Sequence, residues 1–313
     1  MVRRMTGSPF VLGIDGGGST VRAAVVSSDL QLRGQSQGPA ANPGTVGRES
    51  AAQRIQDAVR AALDDAGLEP GQIAAVGIGV AGAAAAHAEA WLRAVVRDVL
   101  PGALVAPSAD YEIALVGALG RRRGVLVLAG TGSLAYGMNA AGESALAGGW
   151  GYLLGDEGGG CWLGLEGLRA VIRADDGSGP ETSLSGALLA ALEIDRPRDL
   201  IPWLYGAGTP RTQAIAALAP IVLEQAAAGD AAAQEIIARA AHHLAHLART
   251  VISRLSLPAP DIAFAGGLLG ALNPLSAALC RELDLPALPV PRHPPVIGAA
   301  RLALDLLDWP ASP

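Results

Sequence analysis

Four stretches of this 313-residue sequence bring together residue types that can act on phosphates or hydroxyls. The first is Gly13-Ile14-Asp15-Gly16-Gly17-Gly18-Ser19-Thr20. Gly16, Gly17 and Gly18 carry no Cβ, so the backbone can close on an anion and aim its N–H groups at it. Ser19 and Thr20 add hydroxyl donors, and Asp15 supplies a carboxylate suited to a divalent cation beside a phosphate. A glycine-rich hairpin that merely turns is the simpler reading of this loop alone. The second stretch, Leu128-Ala129-Gly130-Thr131-Gly132-Ser133, has the same small residues and hydroxyls. Two such loops in one chain point to phosphate binding more firmly than either does.

The third is the densest, Gly148-Gly149-Trp150-Gly151-Tyr152-Leu153-Leu154-Gly155-Asp156-Glu157-Gly158-Gly159-Gly160. So many glycines cost chain entropy, and they make sense where backbone must approach a ligand closely. Trp150 offers an apolar face and Asp156 a bidentate acceptor for hydroxyls, the pairing used in sugar recognition. The competing reading is a glycine-rich crossover with a surface carboxylate pair. The fourth is Asp110, in Pro107-Ser108-Ala109-Asp110, at the end of an apolar run where open α/β sheets bind ligands; a helix N-cap is the alternative.

Gly77-Ile78-Gly79-Val80-Ala81-Gly82 matches G-x-G-x-x-G. With Asp110 closing the next strand, it makes a dinucleotide-dependent oxidoreductase a rival. Against that rival, a complete hairpin with its own glycine loop comes first, and the Gly130 loop goes unused. His242 and His246 stand one helical turn apart, a spacing that suits metal. Leu244, Leu247, Val251 and Leu255 define that helix's buried stripe, however, which turns both histidines to solvent. His87 and His293 have no visible partner.

The elements that must carry these residues follow from the apolar pattern. Short apolar runs at 10–12 and 21–26 flank the first loop and read as a hairpin, with a third strand at 30–38. Helical spacing runs through Ala52, Ile55, Val59, Ala62 and Leu63, predicting a helix over 48–66 that ends at Gly67. Residues 73–80 form a buried strand, 83–100 a helix and 103–106 a strand, an α/β layout. The order then restarts, with strands at 125–129 and 134–138 around the second loop, as though one domain had been duplicated. Helices at 163–173, 184–192 and 212–255 enlarge the second copy, and a late strand at 261–265 enters Gly266-Gly267. A tail helix from 294 to about 307 closes the chain.

Composition narrows the partners. A net charge of -6 gives no electrostatic case for nucleic acid or an anionic membrane. The sequence contains no lysine, which excludes a Walker P-loop and Schiff-base chemistry. Its two cysteines, Cys161 and Cys280, make neither a disulfide framework nor a metal site and favour a reducing compartment. Arg3 and Arg4 imitate the start of a signal peptide, but the apolar run after them breaks at Asp15. Residues 262–280 are uncharged yet interrupted by glycines and Asn273-Pro274. A soluble, cytoplasmic protein is expected.

With these stretches in place, the chain resembles the N-acetylglucosamine kinase and BadF/BadG-type ATPase family, of the actin, hexokinase and Hsp70-like superfamily. The likeness covers nearly the whole chain, and 148–160 is its most specific part. It implies an α/β fold of two ribonuclease-H-like domains with the nucleotide in the cleft between them. They would span 1–117, joined by 294–313, and 118–293 with a helical insertion. It implies ATP and Mg²⁺ as cofactors, an amino sugar as substrate and a homodimer. By position, Gly16, Gly17, Gly18, Ser19, Thr20, Thr131 and Gly132 would hold the phosphates and Asp15 would act through Mg²⁺. Gly266, Gly267 and Leu268 would border the adenosine, with Gly298 nearby. Asn42, Asp110, Ser133, Gly149, Trp150, Gly151 and Asp156 would bind the hexosamine, with Asp110 as catalytic base.

The implied reaction is phosphorylation of the 6-hydroxyl of N-acetylglucosamine or glucosamine; N-acetylmuramic acid kinase is the alternative. Leu134, where a polar residue can occur in kinases of the N-acetyl sugar, leaves the amino sugar open. The family's other branch activates radical dehydratases and holds an iron–sulfur cluster through cysteines at a dimer interface, an arrangement Cys161 and Cys280 do not reproduce. A sugar sensor is a third reading; nine residues precede Phe10, too few for a helix-turn-helix.

Overall fold

The computed structural model describes residues 9–82, 88–206 and 211–307. Arg3, Arg4 and His87 lie outside them, as does part of the helix expected over 83–100. The chain divides into two compact units. One runs to Arg123 and takes up again at Pro291; the other is Gly124–Val290.

The first unit contains β1 (Phe10–Gly16), β2 (Thr20–Val26), β3 (Leu32–Pro39), α1 (Pro43–Val46), α2 (Arg48–Ala66), β4 (Ile73–Val80), α3 (Ala88–Arg97), β5 (Leu104–Ser108) and α4 (Asp110–Leu119). The second contains β6 (Gly124–Ala129), β7 (Ser133–Met138), β8 (Ser144–Gly148), α5 (Gly160–Asp175), α6 (Leu184–Ala191), α7 (Leu200–Tyr205), α8 (Arg211–Ala216), α9 (Ala219–Ala227), α10 (Ala231–Arg254), β9 (Ile262–Ala265) and α11 (Pro274–Glu282). Helix α12 (Pro295–Asp305) returns to the first unit.

The first sheet has the order β3-β2-β1-β4-β5. Strands β1, β2 and β3 form an antiparallel meander, while β1, β4 and β5 run parallel. In register, Asp15 lies opposite Gly79, and Gly79 opposite Ser108, so the C-terminal ends of the three parallel strands come level. Helix α2 covers one face with Ile55, Val59, Ala62 and Leu63, which join Leu12, Ile14, Val76 and Ile78 in one core. It stops where Gly67 turns left-handed and donates its N–H to the carbonyls of Asp64 and Leu63. Helices α4 and α12 cover the other face with Ile113, Val116, Ala299, Ala300 and Leu302.

That second face is built on backbone contact. A Cβ on Gly77 would lie 1.8 Å from the Ala299 carbonyl oxygen, and one on Gly13 1.9 Å from that of Val296. The G-x-G-x-x-G match thereby finds its explanation in packing, in keeping with the argument against a dinucleotide rival. Gly77 and Gly79 lie inside β4, where they admit α12 and the start of α4, and do not form a pyrophosphate loop. Gly298 has the same kind of role, since a Cβ there would sit 2.0 Å from the Ile113 carbonyl oxygen of α4.

The second sheet has the order β8-β7-β6-β9, with β6, β7 and β8 antiparallel and β9 parallel to β6. The expected helix over 212–255 is three helices, broken before Pro220 and at Gly229-Asp230. Asp230 caps α10 by accepting from the Ala233 N–H, and it also accepts from the Thr182 hydroxyl. Helix α10 buries Ile236, Ala240, Leu244, Ala248 and Val251, the expected face. His242 and His246 are exposed. Among the described residues no group of three or more His, Cys, Asp or Glu could hold a metal ion, and no single helix is long and apolar enough to cross a membrane.

Between α5 and α10, buried Glu166 accepts from Arg169 Nη1 at 2.5 Å and from Arg239 Nη2 at 2.6 Å. Burial alone would raise its pKa, but the two guanidinium groups outweigh it and hold the carboxyl below its ordinary range. Its contribution to stability is therefore complete above an unfolded-state value of about 4.3 and fades as pH falls through the folded value. Glu166→Gln should cost about 1–3 kcal/mol at pH 7 and flatten the loss of stability on the acid side, measured by urea unfolding from pH 7 to pH 3. Gly77→Ala, which must push α12 off β4, should cost about 1–3 kcal/mol or more in the same assay.

Candidate active site

In the first unit, Gly17, Gly18 and Ser19 connect β1 to β2, and the turn closes with the Gly17 N–H donating to the Thr20 carbonyl at 2.7 Å. Nothing lies within 4 Å of where a Cβ on Gly18 would be, so backbone borders open space there. Asp15, at the end of β1, is mostly buried and faces Arg22 across the hairpin, with Nη1 3.8 Å from Oδ2. Burial pushes its pKa up to about 6; Arg22 opposes the rise and the carboxylate of Asp110 adds to it.

Asp110 is the first residue of α4, and the N-cap is Ala109. The N-cap reading of Asp110 is thereby corrected: its carboxylate is not spent on the usual cap bond. Its pKa is raised by burial, against the backbone N–H groups of Tyr111 and of Asp110 itself. The parallel register thus delivers two partly buried carboxylates, Asp15 from β1 and Asp110 from just beyond β5, close enough to feel each other's charge. Paired carboxyls in unlike surroundings are the usual basis for dividing proton transfer from cation binding.

Asn42 follows β3 and caps α1, accepting from the Gly44 N–H at 2.8 Å. It also lies at the end of β4, where a Cβ on Gly82 would come within 2.5 Å of its Oδ1. A cap contact of this kind leaves the amide nitrogen as the side chain's donor.

In the second unit, Gly130, Thr131 and Gly132 join β6 to β7. Helix α5 docks on this loop through backbone hydrogen bonds, Gly160 N–H to the Gly130 carbonyl at 2.7 Å and Cys161 N–H to that of Thr131 at 3.0 Å. Two of that helix's first N–H groups are spent on the loop, which fixes its shape. Ser133 is buried and donates its hydroxyl to the Glu157 carbonyl at 2.8 Å, a bond the sequence does not reveal.

Asp156 sits against Gly132, where a Cβ would be 2.2 Å from its Oδ2. Its backbone is left-handed, φ 62°, a conformation that costs a non-glycine residue on the order of 1 kcal/mol. Burial raises its pKa, against hydrogen bonds from the backbone N–H groups of Ser133 and Gly151. Trp150 is 74% exposed, and Gly149 and Gly151 beside it are exposed too. Gly266 lies against β6, where a Cβ would be 2.2 Å from the Ala129 carbonyl oxygen. That same carbonyl accepts from the Leu268 N–H, while Gly267 borders open space.

The structure therefore brings the expected residues together in two groups. Asp15, Gly16–Thr20, Asn42 and Asp110 gather at the C-terminal edge of the first unit's parallel strands. Gly130–Ser133, Gly149–Gly151, Asp156 and Gly266–Leu268 gather around the end of β6. Taken by itself, each group fits part of a nucleotide: in the first unit Gly18 leaves room beside backbone and Asp15 offers a hard oxygen of the kind Mg²⁺ takes, and in the second Gly130 and Gly267 leave room beside backbone. Ser108 and Glu112, which grip the turn before Asp110, escaped the sequence reading; an acidic residue in a helix's first turn is too common to stand out.

Sheet order and the hairpin at the head of each sheet are those of the α/β sugar-kinase and actin-like ATPase fold. The chain belongs to the BadF/BadG/BcrA/BcrD ATPase family, which it matches over residues 12–303. It is 31% identical to the N-acetylmuramic acid/N-acetylglucosamine kinase of Clostridium acetobutylicum over 88% of this chain and 90% of that protein. It is also 31% identical to the N-acetyl-D-glucosamine kinase of Dictyostelium discoideum, over 94% and 97%. A solved structure from Chromobacterium violaceum, provisionally assigned as an N-acetylglucosamine kinase, superposes with a TM-score of 0.76 at 27% identity over 94% of this chain and 99% of that one.

Gly132→Ala should dislodge the Asp156 carboxylate and lower stability by about 1–3 kcal/mol. A crystal structure of the variant and its urea unfolding curve check both.

Proposed function

We propose that this protein is an ATP-dependent hexosamine kinase that phosphorylates the 6-hydroxyl of N-acetylglucosamine or glucosamine. The observation that carries the reading is Asp110, a partly buried carboxyl with a raised pKa at the start of α4 and within electrostatic reach of Asp15. A base needs a pKa moved toward neutrality and a fixed position, and Asp110 has both. The names of the relatives support the sugar class.

In this reading Asp110 accepts the proton of the 6-hydroxyl, and the oxygen's lone pair forms the new bond to the γ-phosphorus as the bond to the ADP oxygen breaks. Bound Mg²⁺ would supply positive charge to the phosphates, with Asp15 holding it. The chain's own part is positioning and electrostatics, which carry most of the catalysis in phosphoryl transfer. Gly16–Thr20, Thr131 and Gly132 border the phosphates. Gly266, Gly267 and Leu268 border the adenosine. Asn42, Ser133, Gly149, Gly151 and Asp156 bind the sugar, and exposed Trp150 lies over its apolar face. Ser133 acts through the Glu157 carbonyl it already holds. N-acetylmuramic acid is the second candidate substrate, favoured by the Clostridium relative. Buried, unpaired Cys161 and Cys280 support a reducing, cytoplasmic setting. The homodimer rests on the family likeness.

A coupled ADP-release assay with Mg·ATP against N-acetylglucosamine, glucosamine, N-acetylmuramic acid, N-acetylmannosamine, glucose and no sugar tests the proposal. Turnover on an amino sugar is the expected result, and silence on every sugar would sink it. Asp110→Asn should lower kcat by roughly 10²–10⁴-fold with sugar affinity far less affected. Near-native turnover in that variant would remove Asp110 from the catalytic role.

A further inference from the structure

Asp110 reaches its place without help from the residue before it. The N-cap Ala109 has no side-chain oxygen for the first N–H groups of α4. The turn is gripped from other directions. Ser108, the last residue of β5, donates its hydroxyl to Glu112 Oε2 at 2.7 Å. Arg122, beyond the C-terminal end of α4, reaches back and donates Nη2 to Glu112 Oε1 at 2.6 Å. Each carboxylate oxygen of Glu112 thus has a protein partner, and its own N–H donates to the Ala109 carbonyl at 3.1 Å. Its side chain is only 16% exposed. On the inner side Gly79 lets the turn approach β4, since a Cβ there would lie 2.9 Å from the Ala109 carbonyl oxygen.

We infer that Glu112 is a positioning residue for Asp110: held by Ser108 and Arg122 at its two oxygens, it fixes the strand-to-helix turn that carries the Asp110 carboxylate. The inference rests on the reading of Asp110 as the base. Charge-assisted hydrogen bonds are roughly twice as strong as neutral ones, and here they clamp both sides of a turn that lacks a cap. Misplacing a reacting group by about 1 Å can cost on the order of 10²-fold, so the clamp matters to rate more than to binding. The Arg122 end faces more than Glu112, because Arg122 and Arg301 also offset the burial-raised pKa of Asp305 on α12. Ser108 therefore provides the cleaner handle.

The test compares Glu112→Gln, Ser108→Ala and Ser108→Thr with Mg·ATP and N-acetylglucosamine, and follows amide exchange over residues 108–112 in each variant. Glu112→Gln should lower kcat by about 10- to 100-fold while both KM values stay within about twofold. Ser108→Ala should do the same more mildly, and Ser108→Thr, which keeps the hydroxyl, should restore the rate. In an Asp110→Asn background Glu112→Gln should cost nothing further, as expected when one residue acts through the other. Equal cost in both backgrounds, a rise in KM alone, or no rescue by threonine would overturn the inference. If the native protein were silent on all sugars, or Asp110→Asn kept its turnover, the base reading would fail. The exchange measurement would then decide: Glu112→Gln should speed exchange at 108–112 by about 10-fold with β1 and β4 unchanged, and unaltered exchange refutes the clamp.

Discussion

The first unit depends on backbone meeting backbone where α12 crosses β1 and β4. At Gly13 and Gly77 the carbonyls of Val296 and Ala299 occupy the space any side chain would need. This contact lets the last helix cover a sheet made from the first third of the chain. Helix α12 in turn carries Gly298 against Ile113 of α4, and Gly117 of α4 admits the carbonyl of Pro294. Strand, last helix and α4 therefore stack at distances that only glycine allows. The position of Asp110 is a consequence, because it begins the helix that this stack holds.

Placing carboxylates in such a packed edge has an electrostatic cost. Desolvation is the largest influence on both Asp15 and Asp110, and it opposes their charge. The protein relieves them unequally. Asp15 has a guanidinium across the hairpin, and Asp110 has the N–H groups at the start of α4. A cation would complete the environment of the first, and a proton that of the second. Two chemically identical groups thereby meet different surroundings, set by their neighbours alone.

Much of this was legible in the residues. The two hairpin loops stand out because each lies between short apolar runs, a pattern local enough to read in a line. The place of Asp110 at a strand's end was readable for the same reason. What escaped was set by partners distant in sequence. Nothing around Ser133 announces the Glu157 carbonyl 24 residues on. The glycines of β4 imitate a fingerprint because a glycine that admits a helix and one that admits a phosphate are the same letter. The 212–255 run misled because alanine and leucine keep a helical rhythm through breaks that Pro220 and Gly229 impose.

The glycine-rich segment 148–160 shows where sequence reasoning needs a structural correction. Its glycines suggest close approach of a ligand, yet several are required by the protein's own backbone. Gly158 is left-handed at φ 84° and lies on α10, where a Cβ would be 2.9 Å from the Ala240 carbonyl oxygen. A Cβ on Gly159 would lie 2.6 Å from the carbonyl carbon of Gly132. These contacts hold α5 on the Gly130 loop, and with it Asp156 over Gly132. Gly151 differs: it is left-handed and exposed, with nothing within 4 Å of where its Cβ would be. The segment therefore divides. Its second half is a support that fixes a carboxylate, and its first half leaves Trp150 and Gly151 open. A sugar site needs both, a fixed acceptor for hydroxyls and an uncovered apolar face.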